Sequence, residues 1–388
     1  MFQLSRDLFS VFQPIKLRLG KVIPVFQPEI NKKDIKFVVD ALRKGEISGN
    51  FGSYLNSFEE EFATYCGSRY GVAVTNGTTA LQLAIKVLDL EPGSEVLISS
   101  TTNIATALAV IHNDLTPVTV DSELSTWNLD IDSIEPLITE KTKAIIPVHL
   151  YGHPVNMERL NIIANKYNLK VVEDCAESHG ASINGKVTGS LGLMGCFSFY
   201  ANKIITTGEG GMIVTDNKEL YEKLKLYRNL GFGVPRFVHN VAGFNFRMTG
   251  FQAALGLSQL SRIEKIIGKK RRIAHRYNSN FSHNNLVRGP IEKDWAKNVY
   301  WMYAIVLSNE ARITRNVLME KLDQEGIETR TFFCPMDQQP ALLGKVKQKT
   351  LDANSDYLWR QGLYLPSSIN LTDKAIDKIS ETINYLTA

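Results

Sequence analysis

The chain has 388 residues, 44% hydrophobic and 22% charged, with a formal charge of +4 from 44 basic and 40 acidic side chains. That length allows one large and one smaller domain with a core that needs no crosslinks, and the scattered basic residues argue against nucleic-acid binding. Cys66, Cys175, Cys196 and Cys334 lie far apart with no CxxC pair, and no apolar run reaches the length of a membrane span, which argues against structural zinc and for a reducing, cytoplasmic compartment.

Residues 1–22, MFQLSRDLFSVFQPIKLRLGKV, mix apolar and basic side chains, and Arg6, Asp7 and Pro14 interrupt any secretory core. They read as a docked or frayed extension, with a membrane-surface or partner-binding arm as the other reading. From Asn31 the pattern is helical, with Ile35, Val38, Val39 and Leu42 on one face and Gly45 as a stop. A second helix around SYLNSFEEEFATYCG carries Leu55, Phe58, Phe62 and Tyr65 on its apolar stripe. Short apolar strands then alternate with helices: GVAVT, EVLIS, PVTVD, AIIPVH, LKVVED, CFSFY and MIVTD. This rhythm predicts an α/β fold with a mostly parallel sheet covered on both faces over residues 23–270. Beyond Lys270 it changes to a connecting helix, one longer strand in YWMYAIVLS, a helix ending at Gly326 and a final amphipathic helix. Residues 271–388 are therefore expected to form a smaller α+β domain.

Within this frame one amine stands out. Lys203 follows Phe197, Phe199 and Tyr200 and precedes Ile204, Ile205 and the turn TTGEGG. Burial lowers a lysine's pKa and frees the amine for carbonyl chemistry. Ligands of open α/β sheets collect at the carboxyl ends of strands, and other polar groups fall at such ends. In VTNGTT a strand passes into a helix whose first amides, beside Gly77 and Thr78, could cradle phosphate or simply form a capped turn. Asp174 ends LKVVED, where a carboxylate caps a helix or pairs with a cationic ring nitrogen. Ser198 lies five residues before Lys203. An amide-rich turn, an acid and a flanked lysine in this order match the needs of pyridoxal 5'-phosphate.

The stretches VTNGTTALQLAI, IIPVHLYGHPVNM, VVEDCAESHG, CFSFYANKIITTGEGGMIVTD and GFNFRMTGFQAALG resemble the DegT/DnrJ/EryC1/StrS family of nucleotide-sugar aminotransferases, from about Ile23 to the C-terminus. The resemblance implies the fold type I of PLP-dependent transferases, as in aspartate aminotransferase, and a homodimer with shared active sites. EDCAESHG, NKIITTGEGGM and ETRTFFCPM are most similar to members that aminate C4 of GDP-4-keto-6-deoxymannose, with L-glutamate as the usual donor. It implies that Lys203 anchors the cofactor and shuttles protons, and that Asp174 faces the pyridine nitrogen. Glu177 stands at the contact to the 3-hydroxyl, where the wider family often has glutamine. Gly77, Thr78 and Ser198 correspond to the phosphate contacts, and Asn245 to a residue entering the neighbouring subunit's site. Arg330 and Phe332 are candidates for the substrate channel. Family members that dehydrate the sugar carry histidine at the lysine position, so the lysine favours transamination.

Asn103 departs from the pattern, replacing an aromatic that stacks on the ring in many relatives; His179 is a candidate to cover the ring or an ordinary core residue. Other readings are amination of a UDP- or dTDP-linked keto hexose, a non-catalytic cofactor-binding protein, and desulfuration of cysteine, which Cys334 would invite.

Overall fold

The computed structural model describes residues 22–235, 237–348 and 353–388; apart from Val22, the N-terminal arm lies outside them. The chain runs through α1 (Lys32–Arg43), α2 (Ser53–Cys66), β1 (Tyr70–Val74), α3 (Gly77–Lys86), β2 (Glu95–Ser99), α4 (Ala105–Ile111), β3 (Thr116–Val120), β4 (Thr142–Ile146), α5 (Met157–Lys166) and β5 (Lys170–Asp174). A small hairpin, β6 (Ser182–Ile183) and β7 (Lys186–Val187), precedes β8 (Met194–Ser198), β9 (Gly211–Thr215), α6 (Lys218–Arg228) and α7 (Gly250–Leu260). The strands order as β1-β9-β8-β5-β4-β2-β3 in a seven-stranded sheet. Only β9 runs against its neighbours. All seven expected strands are present, and their near-complete burial explains why they read as continuous apolar runs rather than alternating ones.

Helices cover both faces of this sheet. One face carries α3, α4 and α6 over a core containing Leu83, Ile98, Ile146 and Ile213. The other carries α2 and α7, with Phe58, Phe62, Phe197 and Phe199 at its centre. Gly256 of α7 permits that approach: a Cβ there would lie 2.5 Å from the Phe58 ring.

A long helix, α8 (Ile263–Phe281), passes through position 270 without a break and leads to a second, four-stranded sheet. That sheet orders as β10 (Val287–Arg288), β12 (Tyr303–Leu307), β14 (Gly362–Leu365) and β13 (Arg330–Thr331). Between β10 and β12, β11 (Ala296–Lys297) pairs back onto β6. The expected strand YWMYAIVLS is shorter than its apolar run, because Tyr300, with φ 49°, turns the chain before β12 begins. α9 (Arg315–Gln324), α10 (Ala353–Gln361) and α11 (Asp373–Thr387) complete the unit, whose core joins Tyr277, Tyr303, Leu322, Leu363 and Ile379. The first described residues also pack here: Ile23 bridges Ile327, and the Gln27 amide donates to Ser368 Oγ at 2.7 Å.

The apolar face of α1 is largely exposed. Its capping box forms, with Asn31 Oδ1 accepting from the Lys33 and Asp34 amides, but Ile35 and Leu42 are 57% and 52% exposed while Asp34 and Ala41 are buried. Asp34 turns towards α7, where Ser258 Oγ (2.7 Å), Gln259 Nε2 (3.0 Å) and Arg262 Nη2 (2.6 Å) bind its carboxylate. This network fixes the helix with its apolar stripe outward, because a buried carboxylate must be fully bonded.

Candidate active site

At the carboxyl ends of β1, β5 and β8 lies a cavity of about 370 Å³ lined by Gly77, Thr78, Asp174, Glu177, Ser198 and Lys203, among others. One wall is the start of α3. Asn76 caps it, with its Oδ1 accepting from the Thr79 amide at 2.9 Å, which leaves the amides of Gly77 and Thr78 without an intrahelical acceptor. Gly77 is required by space: a Cβ would lie 2.6 Å from that of Ser198. Two helix-terminal amides and a serine thus form a cradle sized for an anionic group.

The acids sit across the cavity, each fixed by the backbone. Asp174 accepts from the Ala176 amide (3.1 Å) and Thr106 Oγ1 (2.8 Å). Burial raises its carboxyl above the usual range, opposed by those hydrogen bonds and by the charges of Lys203 and His149. A cationic ring nitrogen against this carboxylate would supply the countercharge it lacks. Glu177 accepts from the Tyr151 amide at 2.8 Å. Burial pushes it up to about 7, although Lys203 and the Tyr151 amide pull the other way, so it holds or releases a proton near neutrality. The preceding residue of β5, Glu173, faces the opposite side. It accepts from the Gly189, Leu191 and Gly192 amides and from His149 Nε2 at 2.6–3.0 Å, stapling the turn before β8.

Lys203 follows β8 in a loop whose Thr207 amide donates to the Phe199 carbonyl. Its Nζ makes no hydrogen bond or ion pair among the described residues and stands 4.0 Å from the centre of the Trp301 ring. Burial lowers its amine below the usual lysine range, with Glu177 and then Asp174 resisting. An amine held below its usual range, a carboxyl raised to about 7 and an anion cradle in one enclosure suit carbonyl and proton-transfer chemistry. The same set fits pyridoxal phosphate in residue type and spacing.

Five sequence candidates lie outside the cavity lining. Asn245 is exposed and lies outside this cavity; nearby Arg247 donates to Asn229 Oδ1 at 2.8 Å. Arg330, on the edge strand β13, pairs with Glu328. Phe332 is 1% exposed, packed against Trp127 and Tyr151, and its neighbour Phe333 lines the cavity instead, because successive residues of an extended chain point oppositely. His179 is fully buried among Phe62, Phe197 and Phe199, away from the cavity lining, with neither ring nitrogen hydrogen-bonded. Cys334 does not line the cavity, and burial raises its thiol, which leaves the desulfuration reading without a nucleophile there.

Asn103 does line the cavity, with its Oδ1 taken by the Ala105 amide at 3.0 Å. Aromatic rings come instead from Tyr200, Trp301, Phe333 and Tyr364. The last three, together with Thr106 and Tyr151, were not foreseen; only the aromatic run around Trp301 offered a signal.

The GDP-perosamine synthase of Escherichia coli O157:H7 is 40% identical over 367 residues, covering 94% of this chain and 98% of that protein. That of Caulobacter vibrioides is 40% identical over 368 residues, with the same coverage. The solved structure of the E. coli GDP-4-keto-6-deoxy-D-mannose-3-dehydratase with bound hydrated PLP superposes with a TM-score of 0.88 at 26% identity, over 94% of this chain and 100% of that one. With the family profile matching residues 28–384, the chain belongs to the DegT/DnrJ/EryC1/StrS aminotransferase family.

Proposed function

We propose that this chain is a pyridoxal-phosphate-dependent aminotransferase that moves an amino group from L-glutamate to C4 of GDP-4-keto-6-deoxymannose, forming GDP-perosamine for O-antigen assembly in the cytoplasm. The convergence of Lys203, Asp174, Glu177, Ser198 and the α3 amides on one cavity carries this reading, and the likeness to the two synthases supports the choice of sugar.

When bound, pyridoxal phosphate supplies a carbonyl carbon that takes and returns the amino group, and a ring that accepts the electron pair released at the donor's α-carbon. Gly77 and Thr78 offer their amides, and Ser198 its hydroxyl, to the phosphate. Asp174, held by Thr106 and Ala176, would offer its carboxylate to the ring nitrogen. Glu177 keeps or yields a proton at the 3-oxygen. Lys203 would hold the cofactor at its aldehyde carbon, and its amine, when free, would take up and return a proton, a role worth ~10²–10⁴-fold. The exposed row Ile35, Val39 and Leu42, continued by Ile47 and Phe51, fits burial against a second copy. Asn245 would then reach the partner's site. No helix among the described residues is long and apolar enough to cross a membrane.

The test is turnover of GDP-, UDP- and dTDP-linked keto sugars with glutamate, followed by mass detection of the aminated product. Turnover of the GDP-linked 4-keto-6-deoxymannose is expected; its absence beside turnover of another sugar would remove this substrate.

A further inference from the structure

Trp301 is the most constrained aromatic residue of the cavity, and the roles proposed above leave it unused. It is 2% exposed, and its ring centre lies 4.0 Å from Lys203 Nζ. Its Nε1 donates to the carbonyl of Asn202, the residue before Lys203, at 2.7 Å. Its own carbonyl accepts from Lys270 Nζ at 2.8 Å, and the same amine donates to the Ser367 carbonyl at 2.6 Å. Lys270 is itself buried, 4.9 Å from the Phe26 ring centre, and its backbone bonds tie the Trp301 segment to the second sheet. The residue is therefore held at two points: its indole Nε1 bonds the loop that carries Lys203, and its backbone carbonyl bonds Lys270.

We propose that Trp301 is a positioning residue for Lys203, its ring face seating the lysine ammonium whenever that amine is not covalently engaged and its Nε1 fixing the backbone that aims it. The inference rests on the reading of Lys203 as the anchoring lysine. The face of an indole carries negative electrostatic potential, so a cation above it is stabilised, most strongly where water is excluded. Around Lys203 the other charged or titratable groups are Asp174 and Glu177 from the β5 end, His179 beyond them, Tyr200 and Tyr364 in the lining and Glu209 on the rim. Burial alone would release the amine's proton too readily. The two acids and the ring oppose that, so that an amine displaced during turnover takes up a proton and stays in place instead of swinging away. The loss expected on removing the ring is in proton transfer, not in sugar affinity.

The test measures the midpoint of the Lys203 amine in cofactor-free protein, from the pH dependence of its labelling by an amine-reactive reagent read by peptide mass mapping. Trp301→Met should lower that midpoint by about one pH unit, Trp301→Phe should shift it less, and in loaded enzyme kcat should fall with little change in KM for the sugar. Should Trp301→Met fail to fold, wild-type protein grown with tetrafluorotryptophan keeps the shape and weakens the ring face; the same downward shift is expected. An unchanged midpoint in the folded variant or in the fluorinated protein overturns the proposal. Borohydride fixation of pyridoxal phosphate to a lysine other than Lys203 would instead overturn the anchoring role, a failure this titration does not produce.

Discussion

The floor and the far wall of the cavity are made in different ways. The floor comes from the carboxyl ends of three sheet strands: Asp174 ends β5 with Glu177 just beyond, Ser198 ends β8 with Lys203 beyond, and the α3 amides follow β1. Its polar groups are bound or bounded by nearby backbone, as Asp174 is by the Ala176 amide. The wall is aromatic and comes from segments more than a hundred residues from the β5 acids in sequence, with Trp301, Phe333 and Tyr364 delivered from the second sheet's side. The floor holds the groups that move protons and charge, and the wall shapes and dries the space in which they act. Chemistry can thus stay fixed while the wall changes to suit another sugar.

Breaking the floor should have the largest effect. Lys203→Ala should lower kcat on the order of 10⁴-fold or more, while pyridoxal phosphate remains bound through the cradle end; dialysis followed by absorbance checks retention. A variant with activity within about tenfold of the parent would separate Lys203 from the chemistry. Altering the part of the wall that does not touch Lys203 should act on affinity. Phe333→Ala should raise KM for the nucleotide sugar by about tenfold and change kcat by less than about threefold; steady-state kinetics with the opposite split would move Phe333 to the chemical side of the comparison.

The smallest effect on turnover is expected behind the floor, at His179. Burial among phenylalanines depresses its ring to about 3 from an ordinary 6.5. A depressed folded-state value means that the unfolded chain binds the proton first. The contribution of this residue is therefore fully present above pH 6.5 and is lost as the pH falls towards 3. His179→Leu should flatten that acid limb, with the two stability curves diverging by roughly 3 kcal/mol near pH 4. Denaturant titrations that stay parallel below pH 6.5 would show that this ring does not titrate with unfolding.

The same division decides what could be read in advance. Strand–turn–helix rhythm marks strand ends, and the family's motifs lie there, so Gly77, Thr78, Asp174, Glu177, Ser198 and Lys203 were found and the structure brings them together. Phe332 and Phe333 are adjacent identical residues, and only the orientation of the folded chain decides which one faces the cavity. Tyr364 sits on a strand whose pairing partners are distant in sequence, so no local period reveals it. The stripe of α1 was legible as a helix face, but which way it turns depends on Arg262, Ser258 and Gln259 meeting Asp34, contacts that span more than two hundred positions. Thr106 and Tyr151 act through one hydrogen bond each, which no motif announces.

Glu173 and Asp174 are neighbours of one charge type with opposite duties, one bracing the turn at Gly189–Gly192 and the other facing the cavity. Since side chains alternate along a strand, inserting or deleting a single codon within β5 would exchange these duties at a stroke. Point substitutions around the site leave this register intact, whereas a change of length within β5 does not.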